Sequence, residues 1–587
     1  MKLARMTCGL LAGVAALLLG CVRNTSGIPH GYTVWREEVA RLSQPHSPLV
    51  PSPGGRHMAW MGSRGGKQFL AHDGAESPLY DYVGVPQFSP NGARIACAVM
   101  DAGEWHVVVD GEAGPPGDTL SLATFSPDSS HVAYSLIDGS MAWYVVDGEE
   151  LEEHDGVDDF VFSPDSSRYT HSIWDDGQWA VVTDGDEGPR YDFVSDLAFT
   201  PDSSAFVYKV ERGLERFMVV DGAAQRTFDY VGDVVFARRG SRLAYIAYSG
   251  PHQMMVVDGK AGPAFRVADH ALFSPDGAHV AYIAWDGEGA RVVWDGVPGP
   301  PYADVISEGM TFSPDSTHLA YVATGRTHDT VVLDGEEGEP FDEVHADTIA
   351  FYPDTSRLVY VARRGSALHV VDDGQTSPPY HMVGDIVFSS DGTRSMYTVR
   401  IGEKRYVVID GALGLAYEGL GYTNPIFSAD GSKTAYVART SAGSTIVMDG
   451  VEEALSLAGI YPLMFTPDGE RVVYHAWEDG WYARKHCVVV GALRGQYYDW
   501  VESIAISPDS QHVAHRARRD GAETVVVDEL PGVWYDYVVG EGLAFYDDGC
   551  LEYLAVEGDS VQRVKYTIKP PLPDGIIPEL PNEPIRW

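Results

Sequence analysis

Cations are scarce in this chain: 42 Lys and Arg, only nine of them Lys, face 84 Asp and Glu across 587 residues, leaving a net charge of −42 at pH 7. Nucleic-acid binding needs clustered Lys and Arg to replace phosphate counterions, and no basic stripe exists to supply them. Cysteine is nearly absent, with five in all. Cys97, Cys487 and Cys550 lie far apart, an odd set without the spacing of a zinc site or a disulfide framework, although a Cys487–Cys550 bridge stays open in an oxidising compartment. Long hydrophobic runs are missing too: the one at Leu10–Leu19 is half the ~20 residues a membrane-spanning helix requires. The chain also lacks a Gly-x-Ser-x-Gly elbow, a His-Glu-x-x-His pair, a phosphate-cradling Gly-rich loop followed by Lys, and a Cys-x-x-Cys pair. Those absences remove the most familiar signatures of hydrolase, metalloprotease, nucleotide and thiol-redox chemistry.

What is present is a globular composition, 44% hydrophobic and 21% charged, with 13 Trp, 32 Tyr and 20 Phe for a core and 63 Gly and 36 Pro for turns. Lys2 and Arg5 precede the apolar run, the order of an export signal. The run ends Leu18-Leu19-Gly20-Cys21, which resembles the bacterial lipobox. That resemblance implies removal of residues 1–20, lipidation of Cys21 as the new N-terminus, and, with Val22 next to it, the outer membrane of the cell envelope.

A tetrapeptide of the Phe-Ser-Pro-Asp type recurs fourteen times, its first position falling at Pro51, Phe88, Phe125, Phe162, Phe199, Phe236, Phe273, Phe312, Phe351, Phe388, Phe427, Phe465, Ile506 and Phe545. The spacing is 37 through the seventh unit and mostly 38–41 afterwards. Within a unit the tetrapeptide turn leads into an apolar strand ending Ala-Tyr, then a Val-Val-Val-Asp-Gly strand and hairpin turn, then an aromatic and a further strand, as in residues 273–305. Four short antiparallel strands per ~38 residues make a propeller blade, whereas helical repeats of this length need 3.6-periodic stretches that the Gly, Pro and Asp punctuation forbids. These residues resemble the TolB-type, WD-like propeller repeat over about residues 50–568. The expected fold is therefore all-β, tandem propellers of fourteen four-stranded units. Seven-bladed rings at 50–311 and 312–568 are the first partition, and eight plus six blades the second. Residues 21–49 form a tether, in which Tyr32–Arg41 alternates enough to supply the strand the last unit lacks, and 569–587 form a Pro-rich tail.

Most recurring residues read as structure. Asp in the Pro-Asp and Val-Asp-Gly slots bonds its own turn amides, and calcium binding would need several oxygens gathered in one short loop. Tyr134, Tyr208, Tyr245, Tyr282, Tyr321, Tyr360, Tyr397, Tyr436, Tyr474 and Tyr553 share the Ala-Tyr slot and are expected between blades, with Cys97, His171 and His515 as substitutes there. A functional residue should break the repeat. His328, His345, His369 and His381 stand off the pattern and read as scattered surface histidines. No catalytic, metal or cofactor residue is marked, and Cys21 is the sole site residue. The expected function is a lipid-anchored, non-catalytic scaffold whose acidic surface favours basic proteins or cationic ligands. The TolB resemblance implies a cell-envelope partner. The other readings are a propeller enzyme, a lyase or hydrolase of envelope or extracellular polymers, and a purely structural surface protein.

Overall fold

The computed structural model describes residues 32–41, 47, 49–353, 355–453, 457–479, 484–540, 542–546 and 549–568. These residues form fourteen antiparallel sheets, thirteen of them built from strands that follow one another in the chain and the last completed by the strand Tyr32–Arg41, and one 3-10 turn at Pro53–Gly55. The fold is a β-propeller, and we number its blades 1–14 in chain order.

Blade 4 shows how the sequence makes a blade. Its strands are Gly156–Phe162, Tyr169–Asp175, Gln178–Thr183 and Asp186–Glu187, ordered first to fourth across the sheet. After Phe162 the chain turns because Ser163 Oγ donates to Asp165 Oδ1 at 2.7 Å and accepts the Arg168 amide at 3.0 Å, while Asp165 takes the Ser167 amide. The later hairpins turn at Asp176-Gly177 and Asp184-Gly185, all four residues at φ between 52° and 89°. That is the left-handed pair a two-residue hairpin demands, and Asp and Gly are the residues that accept it. Asp184 also works as a clasp: Oδ1 accepts the Tyr169 amide at 3.1 Å and Oδ2 takes Arg168 Nε at 2.8 Å. The clasp recurs with Arg94–Asp110, Arg242–Asp258 and Arg394–Asp410, and with His131–Asp147, His279–Asp295, His318–Asp334 and His512–Asp528. The turn Asp residues are structural, as their spacing implies.

Blades join through two repeated contacts. The amides of Asn91, Asp128, Asp165 and Asp276 each donate to a serine of the following blade, Ser129, Ser166, Ser203 and Ser316, at 3.0 Å. The Ala-Tyr tyrosines fill the space between sheets: Tyr134 packs with Ala96 and Val107, Tyr245 with Val207, Met218 and Phe228, and Tyr360 with Ala320, Val322 and Phe341. Glycine makes room for the ring where a Cβ on Gly114 would lie 2.0 Å from Tyr134 Oη. His171 and His515 are buried in the same slot.

The described residues form two compact units. The first unites those up to Gly62, Ala71–Glu76 and those from Trp477 onward; the second holds Ser63–Leu70 and Ser77–Ala476. In the first unit, Tyr32–Arg41 pairs antiparallel with Ser560–Ile568 as the fourth strand of blade 14, Tyr32 opposite Ile568 and Arg41 opposite Ser560. In the second, consecutive blades pack on one another at both of the expected boundaries. The strand Asp304–Phe312 runs across 311, and Ile283, Val292, Val305, Met310, Phe312 and Tyr321 make one cluster from blades 7 and 8. Blades 8 and 9 are joined in the same way. The changed spacing has a local cause: the first strands of blades 8 and 9 hold nine residues where blade 7 has seven. The possible Cys487–Cys550 bridge does not form: Cys97, Cys487 and Cys550 are buried thiols outside any disulfide. Burial pushes the Cys97 thiol up to about 12 and Cys487 to about 11, so neither is a nucleophile near neutral pH.

Candidate functional site

Side chains that the repeat does not explain gather on the first strands. In the second unit these strands touch their counterparts in the next blade, blade 4 to 5 and 6 through 9. Each is interrupted midway. Register shifts fall between Asp158 and Phe160, Ser195 and Ala198, Val231 and Val234, Asp269 and Leu272, Ile306 and Thr311, His345 and Ala350, and Val383 and Ile386. Such a bulge leaves one residue without a partner and aims its side chain away from the sheet. Asp159, Asp196 and His270 sit there at φ 47°, 56° and 58°.

Six blades, 4 to 6 and 8 to 10, place an exposed carboxylate at this bulge: Asp159, Asp196, Asp233, Glu308, Asp347 and Asp385; blade 7 has His270 there, with exposed Asp269 in register just before it. The carboxylates sense one another. Burial first, then the charges of Asp158 and Asp196, raise the Asp159 pKa above its ordinary value. Lys209 lies between two of them, 2.9 Å from Asp196 and 2.7 Å from Asp233, and its hydrogen bond lowers the Asp233 pKa. Asp385 accepts Asn424 Nδ2 at 3.0 Å. At the same position blades 2 and 3 carry Val85 and Leu122, 70% and 76% exposed. The second unit therefore presents an arc of anionic bulges beside exposed apolar ones. Two of the carboxylates accept a neighbouring hydroxyl, Asp196 from Ser195 at 3.1 Å and Glu308 from Ser307 at 2.9 Å; the arc offers charge and contact.

The histidines expected off the pattern turn out to be divided. His381 Nδ1 accepts the Gly402 amide at 3.1 Å, the place where Asp192, Asp229 and Asp342 accept Gly213, Gly250 and Gly365. His369 Nδ1 meets Ser377 O at 2.8 Å as His106 meets Gly114 O at 3.0 Å. Both therefore obey the repeat. His328 lies in a hairpin of blade 8 and His345 on the first strand of blade 9, and among the described residues neither belongs to a cluster of potential metal ligands.

One such cluster does exist, in the first unit, and the sequence reading passed over it. His57 Nδ1 lies 2.6 Å from Asp73 Oδ2, the ordinary clasp of blade 1, but His72 Nε2 also lies 4.0 Å from that oxygen. The Met58 amide holds Asp73 Oδ1 at 3.0 Å, and Arg563 of blade 14 reaches Asp73 Oδ2 at 3.0 Å and Arg56 O at 2.7 Å. Burial alone would raise the Asp73 pKa, but His57, the Met58 amide and Arg563 outweigh it and hold the carboxyl below its ordinary value. The missed signal was positional: His72 precedes the turn Asp where other units have Val109, Val146, Val220, Val257 and Val527. Cys21 lies outside the described residues.

No family model matches the chain, and no curated protein matches it. Among solved structures, the β-propeller domain of the Trilobed protease from Pyrococcus furiosus is 13% identical, with 44% of this chain and 97% of that one covered and a TM-score of 0.22. An oligogalacturonate lyase in complex with manganese is 14% identical, covering 51% and 97%, with a TM-score of 0.21. TolB from Acinetobacter baumannii is 11% identical, covering 49% and 77%, with a TM-score of 0.17. The propeller assignment rests on the strand order of the fourteen sheets, which these similarities accompany.

Proposed function

We propose that this protein is an exported, lipid-anchored, non-catalytic propeller scaffold that binds a basic protein or cationic ligand in the cell envelope. The observation that carries the reading is the arc of bulge carboxylates. A hairpin or strand needs no acid at these positions, since Val85, Leu122 and Pro462 occupy them in blades 2, 3 and 12. Six carboxylates at equivalent bulges, with Asp269 beside the seventh, raise the local negative potential and speed encounter with cations, and the adjoining apolar residues add area that a protein partner would cover. The lipobox-like Leu18-Leu19-Gly20-Cys21 supplies the address. No helix among the described residues is long and apolar enough to cross a membrane, so attachment in this reading falls to acyl chains on Cys21.

The test is isolation of tagged full-length protein from detergent-solubilised envelopes of its native cells, beside a Cys21→Ser form, with co-isolated proteins and glycans identified by mass spectrometry. The expected result is acylated wild type in the membrane fraction with a stoichiometric basic partner, and redistribution of the Cys21→Ser form. Recovery of saccharide or peptide fragments that shorten with time would instead establish an enzyme.

A further inference from the structure

We propose that His57, His72 and Asp73 form a binding site for a divalent transition metal of the zinc class, at the place where blade 14 meets blade 1. The three candidate ligand atoms, two imidazole nitrogens and one carboxylate oxygen, all lie within 4.8 Å of one another. Two histidines and a carboxylate are a donor set zinc accepts, with bonds of about 2.0–2.2 Å that put tetrahedral ligand edges near ~3.3 Å. The present separations from Asp73 Oδ2, 2.6 Å to His57 and 4.0 Å to His72, straddle that value. Shifts of about 0.7 Å in each would satisfy it. The carboxylate is already oriented, because the Met58 amide holds its other oxygen, the outer hydrogen bond that well-built metal sites give their ligands.

The clasp alone does not account for the arrangement. His131, His279, His318 and His512 pair with their turn Asp as His57 does, without a second imidazole preceding that Asp. His72 is the addition, at the end of the strand Lys67–His72, in a slot that valine fills in blades 2, 3, 5, 6 and 13.

Arg563 sets the terms of binding. Its Nη2 shares Asp73 Oδ2 with His57, and its positive charge opposes a cation there. It has other partners: Arg56 O at 2.7 Å, Glu552 at 3.5 Å and Glu37 at 3.8 Å. A metal therefore displaces the guanidinium from Asp73 without stranding it. Glu37 lies on the strand Tyr32–Arg41 and Arg563 on the strand it pairs with, so metal binding exchanges a blade 14 to blade 1 ion pair for a tighter cluster inside blade 1.

The test is zinc titration by calorimetry on the purified, chelator-treated full chain at pH 7.5, with zinc chloride as the probe. Wild type is expected to bind one equivalent that His72→Val lacks, and Arg563→Gln to bind that equivalent at least tenfold more tightly. Circular dichroism and the melting temperature measured without metal report whether each variant is folded. His131→Ala, which removes an ordinary clasp, should leave the zinc isotherm unchanged and so separates this site from adventitious binding to surface histidines. Identical isotherms for folded wild type and His72→Val, or weaker binding by folded Arg563→Gln, would overturn the proposal.

Discussion

A chain lacking residues 32–41 should lose about 4–6 kcal/mol of stability, a large part of the 5–15 kcal/mol that usually separates folded from unfolded protein. The strand Tyr32–Arg41 is the fourth strand of blade 14, and nine of its residues are in register with Ser560–Ile568. Val34 packs on the cluster of Tyr535, Val538, Leu551, Tyr553, Val564 and Tyr566. Arg36 pairs with Glu557 at 3.0 Å and lies over the Tyr535 ring. Its loss uncovers apolar surface and leaves Ser560–Ile568 as an unpaired edge, which invites association between chains. Chemical denaturation followed by tryptophan fluorescence reads the loss, and a synthetic peptide of residues 32–41 should restore part of it by strand addition. A truncated chain that is monomeric and as stable as the parent would show that closure does not depend on this strand.

The second large effect is one of pH. His171 is 3% exposed, stacked 5.9 Å from Phe160 and edge-on to Tyr144 at 5.2 Å. Burial, with a smaller contribution from His154, pushes its pKa down to about 4. The folded value lies below the unfolded one near 6.5, so between those values the unfolded chain binds the proton that the folded chain refuses. Stability from this residue is complete above pH ~6.5, declines as pH falls, and levels off near pH ~4 after a loss of about 3 kcal/mol. His171→Gln, which does not titrate, should lack that part of the slope whatever its absolute stability. Denaturation midpoints measured every half unit from pH 7.5 to 4 decide it; parallel curves for the two proteins would mean that His171 takes up its proton without cost in the folded state.

The residues that show how far the sequence was legible are those serving local geometry. The Asp-Gly pairs read as hairpins because a left-handed turn has few residues to choose from, and Asp184 and Gly185 adopt it. The Ala-Tyr slot read as inter-blade packing because identical side chains at identical register must meet identical neighbours. The bulges were not legible: Asp159 and Asp196 look like polar faces of an alternating strand until the register is seen to slip. A longer slip of the same kind accounts for the change of spacing near residue 311, where Asp304–Phe312 holds two residues more than the first strand of blade 7. His369 and His381 looked exceptional because different residue types fill their slots elsewhere, while each makes the bond its slot requires. His72 escaped notice for the opposite reason, standing in a slot whose usual valine makes no polar bond to compare.

The central claim is that the bulge carboxylates form the binding surface, and the most direct measurement is a salt titration of binding to a ten-residue Lys-rich peptide by fluorescence anisotropy. Wild type is to be compared with an Asp196→Asn, Asp233→Asn, Asp385→Asn chain and with an equally neutralised Glu149→Gln, Asp186→Asn, Glu336→Gln control whose changes lie on exposed outer hairpins. Binding that weakens with salt, falls at least tenfold in the bulge variant and changes less than threefold in the control is the predicted result. Equal loss in both variants would mean that net charge alone attracts the peptide, and would contradict the assignment of the site.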